Sequence, residues 1–336
     1  MSKARENSDY TGLAADIAAG DTAARAGRKN LILNGGFDVW QRGTSFTNNN
    51  SVLFAADRYA TFSNGASTIS QQAFTLGQTD VASNPQYYLR WDVSTYASGD
   101  RVYQKIEDVI TTSGQSVTLS YWAKAETATT MVPQATQAFG SGGSTAVTTA
   151  IDSVALTTSW QKFTRTFTLP SVSGKTIGAG SFLEVGLLRF TTSYTGYVDI
   201  ANVQLELGSV ATDFEHRSYG EELALCQRYY ERFTADASAE QLIGIALVYN
   251  TTSSFINYPY KQIKRVIPSF TSSGASHFER LTGTWDAGTS ISCQANLATA
   301  RFNMAGFAAS TSWTATEVRI TTAANGAHWF AFDAEL

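Results

Sequence analysis

Charge is scarce in this chain. Asp, Glu, Lys and Arg make up 15% of 336 residues, and 24 Lys and Arg against 28 Asp and Glu leave a formal net charge of −4. Without a broad cationic field to neutralise phosphates, general nucleic-acid binding is excluded. Only two cysteines occur, Cys226 and Cys293, one expected on a helix and the other in an apolar strand, where free thiols behave as small hydrophobes. No disulfide is expected between them, which fits folding in a reducing cytoplasm. The three histidines, His216, His277 and His328, stand far apart and outside any HExxH or paired CxxC pattern, so neither a metal centre nor a cofactor is expected. No stretch approaches the roughly 20 apolar residues of a membrane span, and no apolar run of the signal-peptide kind opens the sequence, so membrane insertion is not expected. Nucleophile elbows and P-loops are missing as well. Gly140-Ser141-Gly142-Gly143 lacks the helix and Lys of a phosphate cradle and reads as a turn.

What the chain does have is aromatic residues, 12% of the total, with abundant Ser, Thr, Ala and Gly. That balance suits short strands and polar turns better than long surface helices, and the length calls for more than one core. From Leu31 to Phe214 apolar and polar residues alternate. Tyr87, Leu89, Trp91 and Val93 share one face, as do Val117, Leu119, Tyr121 and Ala123, and both sets are expected to point into a core. Trp40, Trp91 and Trp160 also read as core. Gly, Asn and Ser clusters such as Ser63-Asn64-Gly65 and Ser98-Gly99-Asp100 punctuate the runs at the spacing of a two-sheet sandwich.

Ser218-Tyr219-Gly220-Glu221 has the form of a capping box. A connecting helix is expected over 218–233, its apolar face formed by Leu223, Cys226, Tyr230 and Phe233, with Arg228 and Arg232 at its C-terminal end. Such a wide apolar face lies either between two β domains or against copies of itself around a threefold axis. Residues 234–336 return to short alternating runs, including Ile243, Ile245, Leu247 and Tyr249, and are expected to form a second, smaller β domain. Residues 1–28 carry too little apolar content to fold alone. Leu13, Ala14, Ile17 and Ala18 have helical spacing, which leaves either a helix that orders on a partner or an unstructured leader. The expected fold is thus all-β: a jelly-roll β-sandwich over 29–217, a short helix, a second β-sandwich domain, and an extended or helical N-terminal anchor.

Several blocks carry a family resemblance. Lys29 to Gly43 (KNLILNGGFDVWQRG), Ala56-Asp57-Arg58-Tyr59, Val117 to Ala125 (VTLSYWAKA), Ile200 to Gly208 (IANVQLELG) and His216 to Tyr230 (HRSYGEELALCQRYY), in this order, resemble the carbohydrate-binding-module-like jelly roll of bacteriophage tail fibre and receptor-binding proteins. The resemblance implies a homotrimer in the virion, assembled in the host bacterial cytoplasm. It also implies that residues 1–28 dock onto a tail or baseplate protein and that a host-surface glycan or other receptor is the distal partner. Modules of this kind often hold a structural calcium ion near the first and last strands, where Asp38 and Asp199 fall; the residues themselves read as surface or turn-capping aspartates.

Candidate contact residues follow from the alternation. Tyr88 and Arg90 lie opposite Leu89 and Trp91, Tyr103 lies opposite Val102, and Trp122 and Lys124 lie opposite the core set of their own run. An outward face of rings, charges and amides is what pyranose binding requires, although the same face also suits packing on a second sheet or subunit. Trp285 and Trp313 read as loop tryptophans of the C-terminal domain, either contact residues or rings folded back on their own domain. Catalysis is not expected. Glu107, Asp108, Glu184 and Glu206 are the carboxylates that a depolymerase would draw on, and the other rival is a purely structural fibre adaptor or head decoration protein.

Overall fold

The computed structural model describes residues 29–235, 241–274, 278–281, 285–307, 314–320, 322–323 and 326–336. The chain folds as two compact units, one ending at Glu222 and taking in Leu336, the other Leu223–Glu335.

The first unit contains β1 (Ser45–Phe54), β2 (Tyr59–Ala73), β3 (Tyr87–Thr95), β4 (Arg101–Ile106), β5 (Ser116–Ala125), β6 (Thr129–Met131), β7 (Gln134–Ala138), β8 (Val147–Ala150), β9 (Val154–Leu156), β10 (Gln161–Thr168), β11 (Phe182–Arg189) and β12 (Gly196–Leu207). Hydrogen bonding runs in the order β10-β5-β12-β3-β2-β4-β11-β7-β8, with β1 also on β2. The long strand β2 joins the two halves of this path. Its start, Tyr59–Phe62, pairs with β4, and its end, Ala66–Ala73, pairs with β3. Gly65 sits at the changeover, where a Cβ would lie 1.9 Å from the Thr95 carbonyl oxygen, so no larger residue fits without moving backbone.

Period-two alternation then builds the core. Leu89, Trp91 and Val93 of β3 and Val117, Leu119 and Tyr121 of β5 are all 1% exposed or less. They share one hydrophobic cluster with Val102 of β4 and Leu183 and Val185 of β11, so both halves of the path close on a common interior as an antiparallel jelly-roll sandwich. Trp91 stacks on Phe190 at 5.4 Å between centroids.

The segment before β1 is held by the blocks that carry the family resemblance. Asn30 accepts from the Ile32 and Leu205 amides at 3.0 Å each and donates from Nδ2 to Val203 O at 3.0 Å. The Val203 amide donates in turn to Gly35 O at 2.9 Å, an approach so close that a Cβ on Gly35 would lie 2.2 Å from Val203 O. Arg217 donates to Asn30 O and Ile32 O, Glu222 accepts from the Asn34 amide at 2.6 Å, and Asn34 Nδ2 donates to Asp57 O at 3.1 Å. Four of the five blocks, all but Val117 to Ala125, are therefore joined in one buried polar network that clamps the entering chain to the last strand. Partial satisfaction of such a network is costly, which explains why its members occur as a set.

Helix α1 (Tyr219–Gln227) begins where the capping box places it, with the Glu221 amide donating to Ser218 Oγ at 3.3 Å. It stops six residues before the expected end at 233. Tyr230–Thr234 is instead strand β13, paired residue for residue with Trp329–Asp333, so Tyr230 and Phe233 are not on the helix and no basic residue stands in its last turn. Cross-strand pairing, including Phe233 stacked on Phe330 at 5.0 Å, outweighs the local helical spacing.

The second unit continues with β14 (Gln241–Asn250), β15 (Ser253–Pro259), β16 (Ser269–Ser272), β17 (Phe278–Leu281), β18 (Trp285–Ala287), β19 (Ser290–Ala295), β20 (Thr299–Ala305), β21 (Thr314–Ile320), β22 (Thr322–Ala323), β23 (Gly326–Ala327) and β24 (Trp329–Asp333). Sheets in the orders β18-β17-β21-β14-β15-β20-β19 and β13-β24-β16 contribute to one aromatic core containing Phe278, Phe302, Phe330 and Phe332. On β14 the register shifts between Leu242 and Gly244. Ala246 and Val248 are consequently the buried pair, while Ile245 is 70% exposed, the reverse of the alternation expected from Ile243 onward.

Candidate functional site

Strands β10, β5, β12, β3 and β2 lie side by side, and residues facing each other across them share a face. One outward row reads Lys124, Asp199, Arg90, Ser70 across β5, β12, β3 and β2, and the next reads Lys162, Trp122, Ala201 across β10, β5 and β12. The rows are organised around Asp199. Fully buried, it accepts from Arg90 Nε at 2.7 Å and Nη2 at 2.9 Å and lies 3.7 Å from Lys124 Nζ. This bidentate bond keeps the Arg90 guanidinium protonated well beyond its ordinary range. The guanidinium also lies 3.9 Å from the Tyr197 ring centroid and 6.0 Å from that of Tyr88.

Beside the ions stands a cluster of half-buried rings. Tyr88 lies 4.7 Å from Phe74 and 5.4 Å, edge-on, from Trp160; Phe74 lies 5.3 Å from Trp160. Lys124 Nζ lies 5.3 Å from the Trp160 centroid. Burial, and then the Asp199 charge, push the Tyr88 phenol up, so it remains a neutral hydrogen-bonding group. The arrangement offers ring surface next to fixed charge, with each cation already oriented by Asp199.

Of the expected contact residues, the fold gathers Tyr88, Arg90 and Lys124, and places Trp122, half-buried, one row away on the same face. Tyr103 is not with them. It is 3% exposed on β4 beneath Arg101, whose guanidinium is 5.0 Å from its centroid, and burial pushes its phenol up to about 12. On this strand both neighbours, Val102 and Gln104, are buried too, so alternation does not leave Tyr103 open. Trp313 lies outside the described residues, as does the side chain of Trp285, whose backbone opens β18. Trp160 stands on the outer face rather than in the core: it precedes β10, and its neighbours Ser159 and Gln161 are exposed. Phe74, just past the end of β2, and Tyr197 of β12 complete the site and escaped sequence reasoning, whereas Asp199, expected as a surface or turn-capping aspartate, is fully buried between Arg90 and Lys124 by the register of β12 between β3 and β5. Among the depolymerase candidates, Glu206 is 2% exposed and accepts from Thr212, and Glu184 pairs with Arg101 at 3.1 Å.

No family model matches this sequence, and no curated protein matches it significantly. Solved structures of similar shape include the enzymatically active domain of tailspike protein 4 of bacteriophage CBA120, at 16% identity over 53% of this chain and 21% of that one, with a TM-score of 0.30. A CBM22-1 xylan-binding domain of Paenibacillus barcinonensis matches at 11% identity over 55% of this chain and 100% of its own, with a TM-score of 0.35. The tandem CBM22-1-CBM22-2 domain from the same bacterium matches at 8% identity over 93% and 98%, with a TM-score of 0.34. This chain thus spans about a fifth of the tailspike structure. All three likenesses are distant.

Proposed function

We propose that this chain is a non-catalytic attachment protein whose jelly roll holds a glycan on the outer face of the β10-β5-β12-β3 strands. The observation that carries the reading is the cluster of Phe74, Tyr88 and Trp160 beside the Arg90-Asp199-Lys124 triad. Rings accept the apolar face of a pyranose, and the oriented cations and the Tyr88 hydroxyl accept its polar edge. The resemblance of the sequence blocks to phage tail fibres supports reading this module as part of a homotrimeric virion fibre, with residues 1–28, which lie outside the described residues, as its virion-facing segment. Multivalency gives that assembly its logic. A single site of millimolar affinity contributes about 4 kcal/mol, and linking copies raises apparent affinity by roughly 10²- to 10⁴-fold without new contacts.

The purified full chain is expected to scatter light as a trimer and, added in excess, to block adsorption of the parent particle to susceptible cells. A monomer that leaves adsorption unchanged would favour a purely structural virion role, with the same rings buried at an interface. Release of reducing sugar from host polysaccharide would favour a depolymerase.

A further inference from the structure

A cavity of about 590 Å³ opens in the first unit, walled by the Lys29 to Gly43 segment and by the ends of β2 and β3. Tyr87 lines it, and since successive strand residues point to opposite faces, it lies on the other side of the sheet from Tyr88. Asn202 of β12 closes the cavity at a register shift between Ala201 and Gln204, in the left-handed region at φ 50°. A non-glycine residue held there is uncommon and marks a position fixed by its surroundings.

Three donors of this cavity are already committed: Trp40 Nε1 donates to Phe37 O at 2.8 Å, Gln71 Nε2 to the same oxygen at 3.1 Å, and Asn202 Nδ2 to Ala82 O at 3.1 Å. Two of its acceptors are not. Asn202 is 3% exposed, and its buried Oδ1 has no partner. Asp38, also on the wall, makes no hydrogen bond or ion pair among the described residues. A ligand matching this surface brings donors, positive charge for the carboxylate and a face for the Trp40 and Tyr87 rings.

We propose that this cavity is a second binding site, taking a compact amino sugar whose primary ammonium pairs with Asp38 and whose hydroxyls donate to Asn202 Oδ1. The volume suits a mono- or disaccharide. This site is separate from the outer sheet face and does not depend on glycan binding there. Asp38 faces His216 and Glu222. Burial raises its pKa, His216 lowers it and Glu222 raises it. Affinity therefore falls on acidification at a pH above the ordinary aspartate range.

The test uses calorimetric titration of the full chain with glucosamine, N-acetylglucosamine and glucose. Glucosamine is expected to bind saturably, and the two uncharged sugars at least tenfold more weakly, since removing one partner leaves a desolvated carboxylate unpaired. Asp38→Asn, with an unchanged melting temperature, is expected to erase that difference. Equal binding of all three sugars by the unaltered protein, or no saturation by glucosamine at millimolar concentration, overturns the proposal. So does preferential binding of Nα-acetyl-lysine methylamide, which assigns the cavity to a lysine side chain, or of calcium chloride, which assigns it to a metal ion.

Discussion

Replacing Glu231 by Ala is expected to destabilise the second unit by about 3–5 kcal/mol, the range for breaking a buried ion pair on one side only. Glu231 is 1% exposed and Lys264 is 1% exposed, with Nζ 2.6 Å from Oε2. The same carboxylate accepts from the Lys261 amide at 3.1 Å and Tyr258 Oη at 3.0 Å, so its removal leaves a buried ammonium and two further donors without their acceptor. Lys264 keeps one bond, to Gln227 O at 2.5 Å. Burial already pulls its pKa below the ordinary 10.5, opposed by Glu231. Without Glu231 the folded pKa drops further. Between that value and 10.5 the unfolded chain then binds the additional proton, so the stability of the variant rises with pH across this window. Urea denaturation, followed by hydrogen exchange in β13 and β24, measures the loss. Glu231→Leu combined with Lys264→Met is expected to recover most of it, because an apolar pair of similar volume replaces a costly buried charge. A double variant as unstable as Glu231→Ala would assign the loss to packing or to the stranded Lys261 and Tyr258 donors rather than to the buried ammonium.

The second large effect concerns Asp199. Its replacement by Ala leaves Arg90 and Lys124 as neighbouring cations without their shared carboxylate, and is expected to cost about 2 kcal/mol. That figure lies below the fully buried range because the Arg90 and Lys124 side chains remain 27% and 23% exposed and water screens them. The functional loss is expected to be larger than the stability loss. Arg90 is aimed by two bonds to Asp199 and lies over Tyr197 and toward Tyr88, so freeing it disperses the polar edge of the proposed site, with glycan affinity falling at least tenfold. Asp199→Asn, which keeps an acceptor for Arg90, is expected to lose less of both. Equal affinity in wild type and Asp199→Ala would remove the triad from the binding account.

Alternation along β3 and β5 was legible in the sequence because Leu89, Trp91 and Val93 and the Val117 to Ala123 face are buried, although Tyr87, expected in the same core, is half-buried on the cavity wall, and the cap at Ser218 was legible because it is local. The strand after α1 was not. Tyr230 and Phe233 satisfy helical spacing in isolation, and only β24, about one hundred residues away, supplies the ladder that makes them a strand. The reversed faces of β14 follow from a register shift that no alternation count can locate. The sheet-face site was half legible. Tyr88, Arg90, Trp122 and Lys124 have the outward phase, but Trp160 and Phe74 stand at strand ends where phase is undefined. The opening motif looked like core and strand. Leu31 and Phe37 do pack on the core, whereas Asn30, Asn34 and Gly35 serve contacts to residues up to 188 positions away. Asp38 and Trp40 border a cavity whose other wall is a distant bulge. Polar networks of that reach leave no local periodic signal.

The ring cluster on the outer sheet face is the proposed glycan site. Its most direct measurement is retention on an array of bacterial surface polysaccharides, comparing wild type with the Tyr88→Ala, Trp160→Ala double variant at matched oligomeric state and melting temperature. Retention of wild type on at least one polysaccharide, with a loss of about a hundredfold or more in the double variant, is the expected result, since the lost ring contacts multiply across linked sites. Undiminished retention of the double variant, or no retention of wild type on any polysaccharide, would contradict it.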